Sequence, residues 1–339
     1  MSSQQVYDLT ATCGDEKDSR EPNGLVSMLT TKPLATVIVP HLNQLEALET
    51  CLSSLDAQSL ECRLYEVIVV DNGSEKLPDR IVARHVGARL LQELQPGPGL
   101  ARNRGAEAAR GDVLCFIDSD CRAHPQWLER ALKALSSAPP RTVLGGDVRI
   151  WRDDIARFGA IEAYESVFAY RFKMYIEQHG YSGTGNLVVR RADFQRVGPF
   201  LGLEIAEDVE WGARARSARL TIRYEPGLIV YHPARRSLRE LFIKWDRHLQ
   251  HELNVARAQP LWRARWLGRA SLLLISPLID AGNVFVSDRL QGWSARLKSV
   301  AVLIVLRSYR AWRMLSMLFF NRGVVWNRPV QTHSIETED

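Results

Sequence analysis

Hydrophobic positions between residues 35 and 117 alternate between two rhythms. Thr36-Val37-Ile38-Val39 is a β-branched run that Pro40 is expected to stop. Leu45, Leu48, Leu52 and Leu55 follow at helical spacing, with Asn43 in place to cap the helix and Glu46 three residues on as its reciprocal partner. Val67-Ile68-Val69-Val70 is apolar on both faces, the pattern of a central parallel strand, and ends in Asp71-Asn72-Gly73-Ser74. Residues 88–91 predict a further strand, which leads through Pro96-Gly97-Pro98-Gly99 into a helix reaching residue 110. Val113-Leu114-Cys115-Phe116-Ile117 predicts another buried strand, ending in Asp118-Ser119-Asp120. This alternation predicts an α/β fold: a mostly parallel sheet with helices on both faces and ligands beyond the carboxyl ends of its strands. Asp71, Asp118 and Asp120 all fall at that edge.

The second half is more mixed. Residues 187–189, 220–224 and 228–231 read as strands, and 206–218 and 237–257 as helices. Beyond 257 the composition turns to Trp, Arg and Leu. The expected organisation is a poorly ordered lead-in over 1–33, a catalytic domain over 34–257, a basic amphipathic helical region over 258–328, and a short tail over 329–339. The formal charge of +5 is unevenly placed: residues 233–330 hold 17 Lys and Arg against 5 Asp and Glu, so the remainder is net negative. A basic region on an acidic body suggests an anionic surface as partner. Five cysteines without a CxxC pair give no sign of an oxidising compartment, and residues 1–32 hold no apolar run of signal-peptide length, so a cytoplasmic protein is expected.

Asp118-Ser119-Asp120 is the sharpest chemical signal. Carboxylates two residues apart in an extended turn can share one side, and Mg²⁺ or Mn²⁺ prefers such hard oxygen ligands. Asp71 can accept from a base N–H or a ribose hydroxyl, or form an Asx turn with Asn72 and Gly73; the two roles are compatible. Gly97 to Gly105 places two arginines, Arg102 and Arg104, at a helix start, where a phosphate is favoured. Glu207, Asp208 and Glu210 fall in the first turn of a helix, where the dipole favours acids in any case. The functional reading makes Asp208 a general base, with Trp211 three residues on to stack against a sugar. His232, after the last strand, is a candidate metal ligand.

In this order the motifs resemble the family 2 glycosyltransferases of the GT-A fold. The matching stretches are Thr36-Val37-Ile38-Val39-Pro40, Val69-Val70-Asp71-Asn72-Gly73-Ser74, Ala101-Arg102-Asn103-Arg104-Gly105, Phe116-Ile117-Asp118-Ser119-Asp120, Gly183-Thr184-Gly185-Asn186, and Glu207-Asp208 through Arg214. The resemblance implies an inverting enzyme that moves a sugar from a nucleotide-diphosphate sugar, UDP by default, to an acceptor hydroxyl on a glycan or lipid-linked glycan. It implies that Pro40 and Asp71 line the base pocket and that Arg102 approaches the base or diphosphate. Asp118 would hold the ribose or sugar, Asp120 and His232 a Mn²⁺ or Mg²⁺ ion, and the backbone around Asn186 the donor sugar. Asp208 would be the base, with Glu207 and Trp211 on the acceptor side. His41-Leu42 departs from the aromatic or small polar residue usual after the first strand.

Two apolar stretches, 270–287 and 299–320, follow. The first carries Asp280 and Pro277; the second carries Arg307, Arg310 and Arg313 along one expected side of a helix, with Trp312, Leu315, Leu318 and Phe319 nearby. The pattern predicts helices lying in a membrane interface, a peripheral attachment at the inner face of the cell membrane. Alternatives are a non-catalytic GT-A-like scaffold and a nucleotidyltransferase on a related sheet, though Pro40-His41-Leu42 lacks the glycine-rich loop of the latter. The Trp and Leu content of the tail speaks against nucleic acid.

Overall fold

Strands apolar on both faces must be covered on both, and this requirement organises the first half of the chain. A computed structural model describes residues 32–319 apart from 153, 155, 156 and 203–205. The lead-in expected over 1–33 and the tail over 329–339 lie almost wholly outside the described residues. Chain contacts divide the molecule into two units: residues up to 149 with 172–232, and residues 150–171 with those from 233 onward.

In the first unit, β1 (Ala35–His41), β2 (Tyr65–Asp71), β3 (Ala88–Gln92) and β4 (Val113–Ile117) pair in parallel in the order β3-β2-β1-β4. Between them run α1 (Leu45–Asp56), a short α2 (Asp79–Val82) and α3 (Pro98–Ala108). The sheet continues through a two-residue β5 (Arg122–Ala123), β6 (Thr142–Trp151), β7 (Asn186–Arg190) and β8 (Thr221–Pro233), in the order β4-β7-β6-β8-β5, with β4-β7, β6-β7 and β5-β8 antiparallel. Helices α4 (Trp127–Ser136), α6 (Phe172–His179), α7 (Arg191–Val197) and α8 (Glu207–Ser217) complete the unit. Its core includes Ile38, Phe116, Leu187, Phe194, Phe200 and Trp211.

Three local expectations change. Pro40 does not stop β1; it pairs opposite Val70 and the strand runs on to His41. Asn43 is not the cap of α1, which begins after Gln44 without a side-chain cap. Asn43 takes a left-handed turn at φ 55°, and its carboxamide oxygen accepts from the Glu75 amide at 2.9 Å, tying the loop after β1 to the loop after β2. The strands expected at 220–224 and 228–231 form one strand, β8. Its Pro226 is exposed, at a place where a missing ladder donor is tolerated.

Asn186 stitches the antiparallel half together. It is fully buried; its amide donates to the carbonyls of Asp147 and Leu228 at 2.9 and 2.8 Å, and its oxygen accepts from Trp127 Nε1 at 2.9 Å. Gly146 must be glycine for this approach, since a Cβ there would collide with the Asn186 amide and the Leu228 carbonyl.

The second unit is helical: α5 (Ala160–Phe168), α9 (Leu238–Arg257), α10 (Trp262–Val286) and α11 (Gly292–Phe319). The chain was expected to change domain after residue 257; α9 instead groups with α10 and α11. Ser237 caps α9 by accepting from the Glu240 amide. Leu249 and Leu253 of α9 meet Trp266, Ala270 and Leu273 of α10 and Met314 and Met317 of α11. The buried Glu165 of α5 accepts from the Arg235 amide and guanidinium.

The expected outward row of Arg307, Arg310 and Arg313 is contradicted. Arg307 donates to Asp280 at 2.6 Å and Arg313 to Asp246 at 3.0 Å, while Arg310 is 6% exposed and lies over the Trp245 ring, 3.5 Å from its centroid. These charges point inward because each finds a partner there. Leu315 and Leu318 are partly buried against the apolar cluster of α9, α10 and α11, and Trp312 and Phe319 stay exposed.

Asn186→Ala is expected to lose three hydrogen bonds and leave two carbonyls and an indole N–H unsatisfied. We expect a destabilisation of about 3 kcal/mol. A lowered denaturation midpoint at unchanged slope measures it.

Candidate active site

The carboxyl ends of β2 and β4 deliver the acidic residues, and each is held differently. Asp71, the last residue of β2, is 1% exposed. Its Oδ2 accepts from the amides of Gly73 and Ser74 at 3.2 and 3.0 Å, the Asx turn expected there, with Gly73 at φ 88°. Its Oδ1 lies 3.1 Å from His41 Nδ1. Since His41 Nε2 accepts from the Gln44 amide at 3.2 Å, this arrangement assigns the ring proton to Nδ1, donating to Asp71. The unusual His41 is thus a brace for Asp71. Both Asp71 oxygens are thus engaged within the fold, and Pro40, near the end of β1, is half-buried.

Asp118 follows β4 and Arg102 lies on α3. Arg102 is buried, donating through Nη2 to Asp118 at 2.6 Å and through Nη1 to Glu207 at 3.0 Å. Burial pulls the guanidinium pKa down, but the charges of Asp118 and Glu207 and their hydrogen bonds outweigh it and raise it overall. Its Nε has no hydrogen-bond partner among the described residues. Gly185, just before β7, leaves room at Asp118, where a Cβ would come within 2.5 Å of Oδ2.

The pairing of Arg122 with Tyr231 brings the chain beside Asp120 next to the end of β8. His232 Nε2 consequently lies 3.2 Å from Asp120 Oδ2. Burial alone would raise the Asp120 pKa; the hydrogen bond and charge of His232 more than offset it and hold the carboxyl below its ordinary range. Asp118, Asp120 and Cys121 offer ligand atoms within 4.8 Å of one another. Burial, reinforced by the charges of Asp120 and Asp118, drives the Cys121 thiol far up, so it stays protonated beside the carboxylates.

Glu207 and Asp208 open α8. Asp208 has its pKa raised by burial and by the charge of Glu207, against the opposing pull of its hydrogen bond from the Val209 amide and of Arg102. Trp211 is brought to this helix but not to a surface. It is 2% exposed, packed on Phe194 and Phe200, and donates to the Gly198 carbonyl at 3.0 Å. Positions 208, 211 and 215 share one face of α8, and after the first turn that face enters the core, so the expected stacking of Trp211 on a sugar is corrected. The Asn186 side chain is fully engaged between strands, so only its backbone could serve the expected donor contact.

Sequence reasoning missed Tyr181. Its hydroxyl pKa is pushed up to about 12 by burial and then by the charge of Asp208, and its ring stacks on Tyr175 at 5.4 Å and 8°. Gly212 of α8 makes room for it, since a Cβ there would come within 2.5 Å of Tyr181 Cβ. The signal in the sequence was the aromatic spacing of Tyr175 and Tyr181 before the Gly183–Asn186 motif.

A divalent cation can be tested against this set. Asp118, Asp120, Glu207 and Asp208 bring four carboxylates to one region against Arg102, leaving net negative charge that a hard cation would balance; the site fits one.

Comparison with known proteins agrees with this fold. The model of the family described as "Glycosyl transferase family 2" matches residues 36–196. The glycosyltransferase AglE of Haloferax volcanii is 35% identical over 214 residues, 61% of this chain and 69% of that protein. The pre-mycofactocin glycosyltransferase of Mycobacterium tuberculosis is 29% identical over 60% of this chain, which spans only 44% of that protein's length. Among solved structures, a mannosyltransferase from Pyrobaculum calidifontis in complex with GDP-Man and Mn²⁺ superposes with a TM-score of 0.55 at 18% identity, covering 87% of this chain and 89% of that one. That likeness establishes the fold, and the GT-A expectation is borne out with it. With motifs, fold and an AglE-like relative in agreement, the chain belongs to the family 2 glycosyltransferases.

Proposed function

We propose that the enzyme transfers a sugar from a nucleotide-diphosphate sugar to a hydroxyl of a glycan or lipid-linked glycan, with inversion at the anomeric carbon and a bound Mn²⁺ or Mg²⁺. The observation that carries this reading is the Arg102 bridge, which joins the donor-side Asp118 to the acceptor-side Glu207 beside Asp208. Asp120 and His232 would hold the cation, whose chemistry when bound is neutralisation of the diphosphate leaving group. Arg102 holds Asp118 and Glu207 in place through its two Nη donors. Asp208 accepts the acceptor's hydroxyl proton as its oxygen attacks the anomeric carbon. The new C–O bond forms as the bond to the phosphate oxygen breaks, the electron pair leaving with the diphosphate, so no enzyme nucleophile is required. Tyr181, in place of Trp211, is the aromatic surface beside Asp208 for an acceptor sugar.

UDP-sugar is the default donor; a GDP-sugar is the second choice, favoured only by the GDP-Man in the Pyrobaculum neighbour. Action in the cytoplasm at the inner face of the cell membrane is supported by the basic, tryptophan-rich region after 257.

Asp120→Asn is expected to abolish cation-dependent donor binding with the fold intact. Calorimetry with UDP or GDP and Mn²⁺ checks it, and wild-type affinity in the variant would sink the metal assignment.

Asp208→Asn should retain donor binding and lower transfer by at least ~10²-fold. A base whose pKa is raised loses activity as pH falls through that pKa. Glu207 contributes to the raised value, so Glu207→Gln should move the acidic limb of the rate profile to lower pH. An unmoved or upward-shifted limb in a pH-rate series would assign the base to another group.

A further inference from the structure

We propose that α10 and α11 form an in-plane membrane anchor whose exposed apolar face inserts into the hydrocarbon of one leaflet, rather than a surface held by arginine-to-headgroup attraction. This deepens the membrane part of the function proposed above and is independent of the sugar chemistry.

The helical unit turns several of its charges inward, beside an apolar core, and leaves an apolar face outside. On α10 the side chains turned to solvent include Leu272, Ile275, Leu278 and Ile279, the last two 83% and 77% exposed, and Val286 at 83%. They recur at three- and four-residue spacing, the mark of one helix face. Between Arg269 and Asp288 the single ionisable residue is Asp280, and it faces Arg307. On α11, Trp293, Leu297, Ile304, Val305 and Trp312 are exposed in the same rhythm, with no ionisable residue between Lys298 and Arg307. The charges that α11 does carry are turned to protein: Arg296 donates to the carbonyls of Phe285, Ser287 and Gly292, and Lys298 to that of Phe158. A water-facing helix shows the reverse pattern.

The occupant follows from three features. The exposed apolar row from Leu272 to Val286 is about 21 Å long at the helical rise, with no acid facing out to pair with a protein partner. Exposed Arg263 and Arg265 border it at one end and exposed tryptophans flank the row on α11, matching acyl chains beneath phosphates. A spanning arrangement does not fit, because the other faces of α10 and α11 pack on α9. That helix brings Lys244, Asp246, Arg247 and Glu252, which hydrocarbon would reject. One apolar face with a charged layer behind it is the design of a monotopic helix.

The test uses the full-length protein and flotation with vesicles of pure phosphatidylcholine and of phosphatidylcholine with phosphatidylglycerol, at low and molar salt. Binding to neutral vesicles that persists in molar salt is expected, with a blue shift of tryptophan emission and quenching by chain-brominated lipid. Leu274→Glu with Leu278→Glu, both exposed and therefore compatible with folding, should reduce binding to neutral vesicles at least tenfold. Its circular dichroism and nucleoside diphosphate binding should stay unchanged, which separates this result from failure of the sugar-transfer reading. Arg263→Gln with Arg265→Gln should remove only the increment due to anionic lipid. Gln291→Cys, in a chain with Cys13→Ser and Cys62→Ser, should react with an impermeant maleimide added on the side of the protein. Three results overturn the proposal: binding confined to anionic vesicles and reversed by salt, protection of Cys at 291 in a manner that marks a span, or a dimer in sedimentation that ignores vesicles, which would assign the face to a second copy of the chain.

Discussion

A buried arginine held between two carboxylates is the interaction on which the catalytic unit depends. Arg102 sits on α3, Asp118 follows β4 and Glu207 opens α8, three elements far apart in sequence. An isolated guanidinium out of water would cost several kcal/mol, and so would either carboxylate. Together they hold the first turn of α8 against the edge of the sheet. Asp208, one residue along, inherits its position from this bridge and its raised pKa from burial and from Glu207.

The same reasoning, in which a polar group is held only where its partners lie, separates the other motif residues by their surroundings. Asp71 and Asn186 are at the right edge of the sheet, yet every one of their polar atoms is directed into the fold. Asp118 and Asp120 are half-exposed and keep acceptor capacity toward the open side. Asp120 is paired by His232 because a two-residue strand, β5, zips onto the end of β8.

In the helical unit the partner rule acts with the opposite outward result. Asp280, Asp246 and Glu165 draw Arg307, Arg313 and Arg235 inward, leaving the outer surface of α10 and α11 to leucine, isoleucine and tryptophan. Asp280, which in isolation argues against burial of α10 in an apolar medium, is neutralised within its own unit.

Much of this was legible in the residues alone. The β-branched runs at 36–39 and 67–70 and the apolar run at 113–117 specify strands because such side chains suit a pleated, doubly covered surface, and Asp71, Asp118 and Asp120 follow those runs whatever the tertiary detail. The charge excess after residue 233 and the helix at 237–257 were equally local properties. What only the tertiary structure decided is the direction in which a side chain faces once its element is packed. Trp211 shares a helix face with Asp208, but that face descends into the core. Asn43 looks like a cap and serves instead as a strap between loops. Arg307, Arg310 and Arg313 have the spacing of a solvent-facing row and are claimed by inward partners. Periodicity encodes which residues lie together on one face; which face meets protein depends on partners tens to more than a hundred residues away, and no local pattern carries that information.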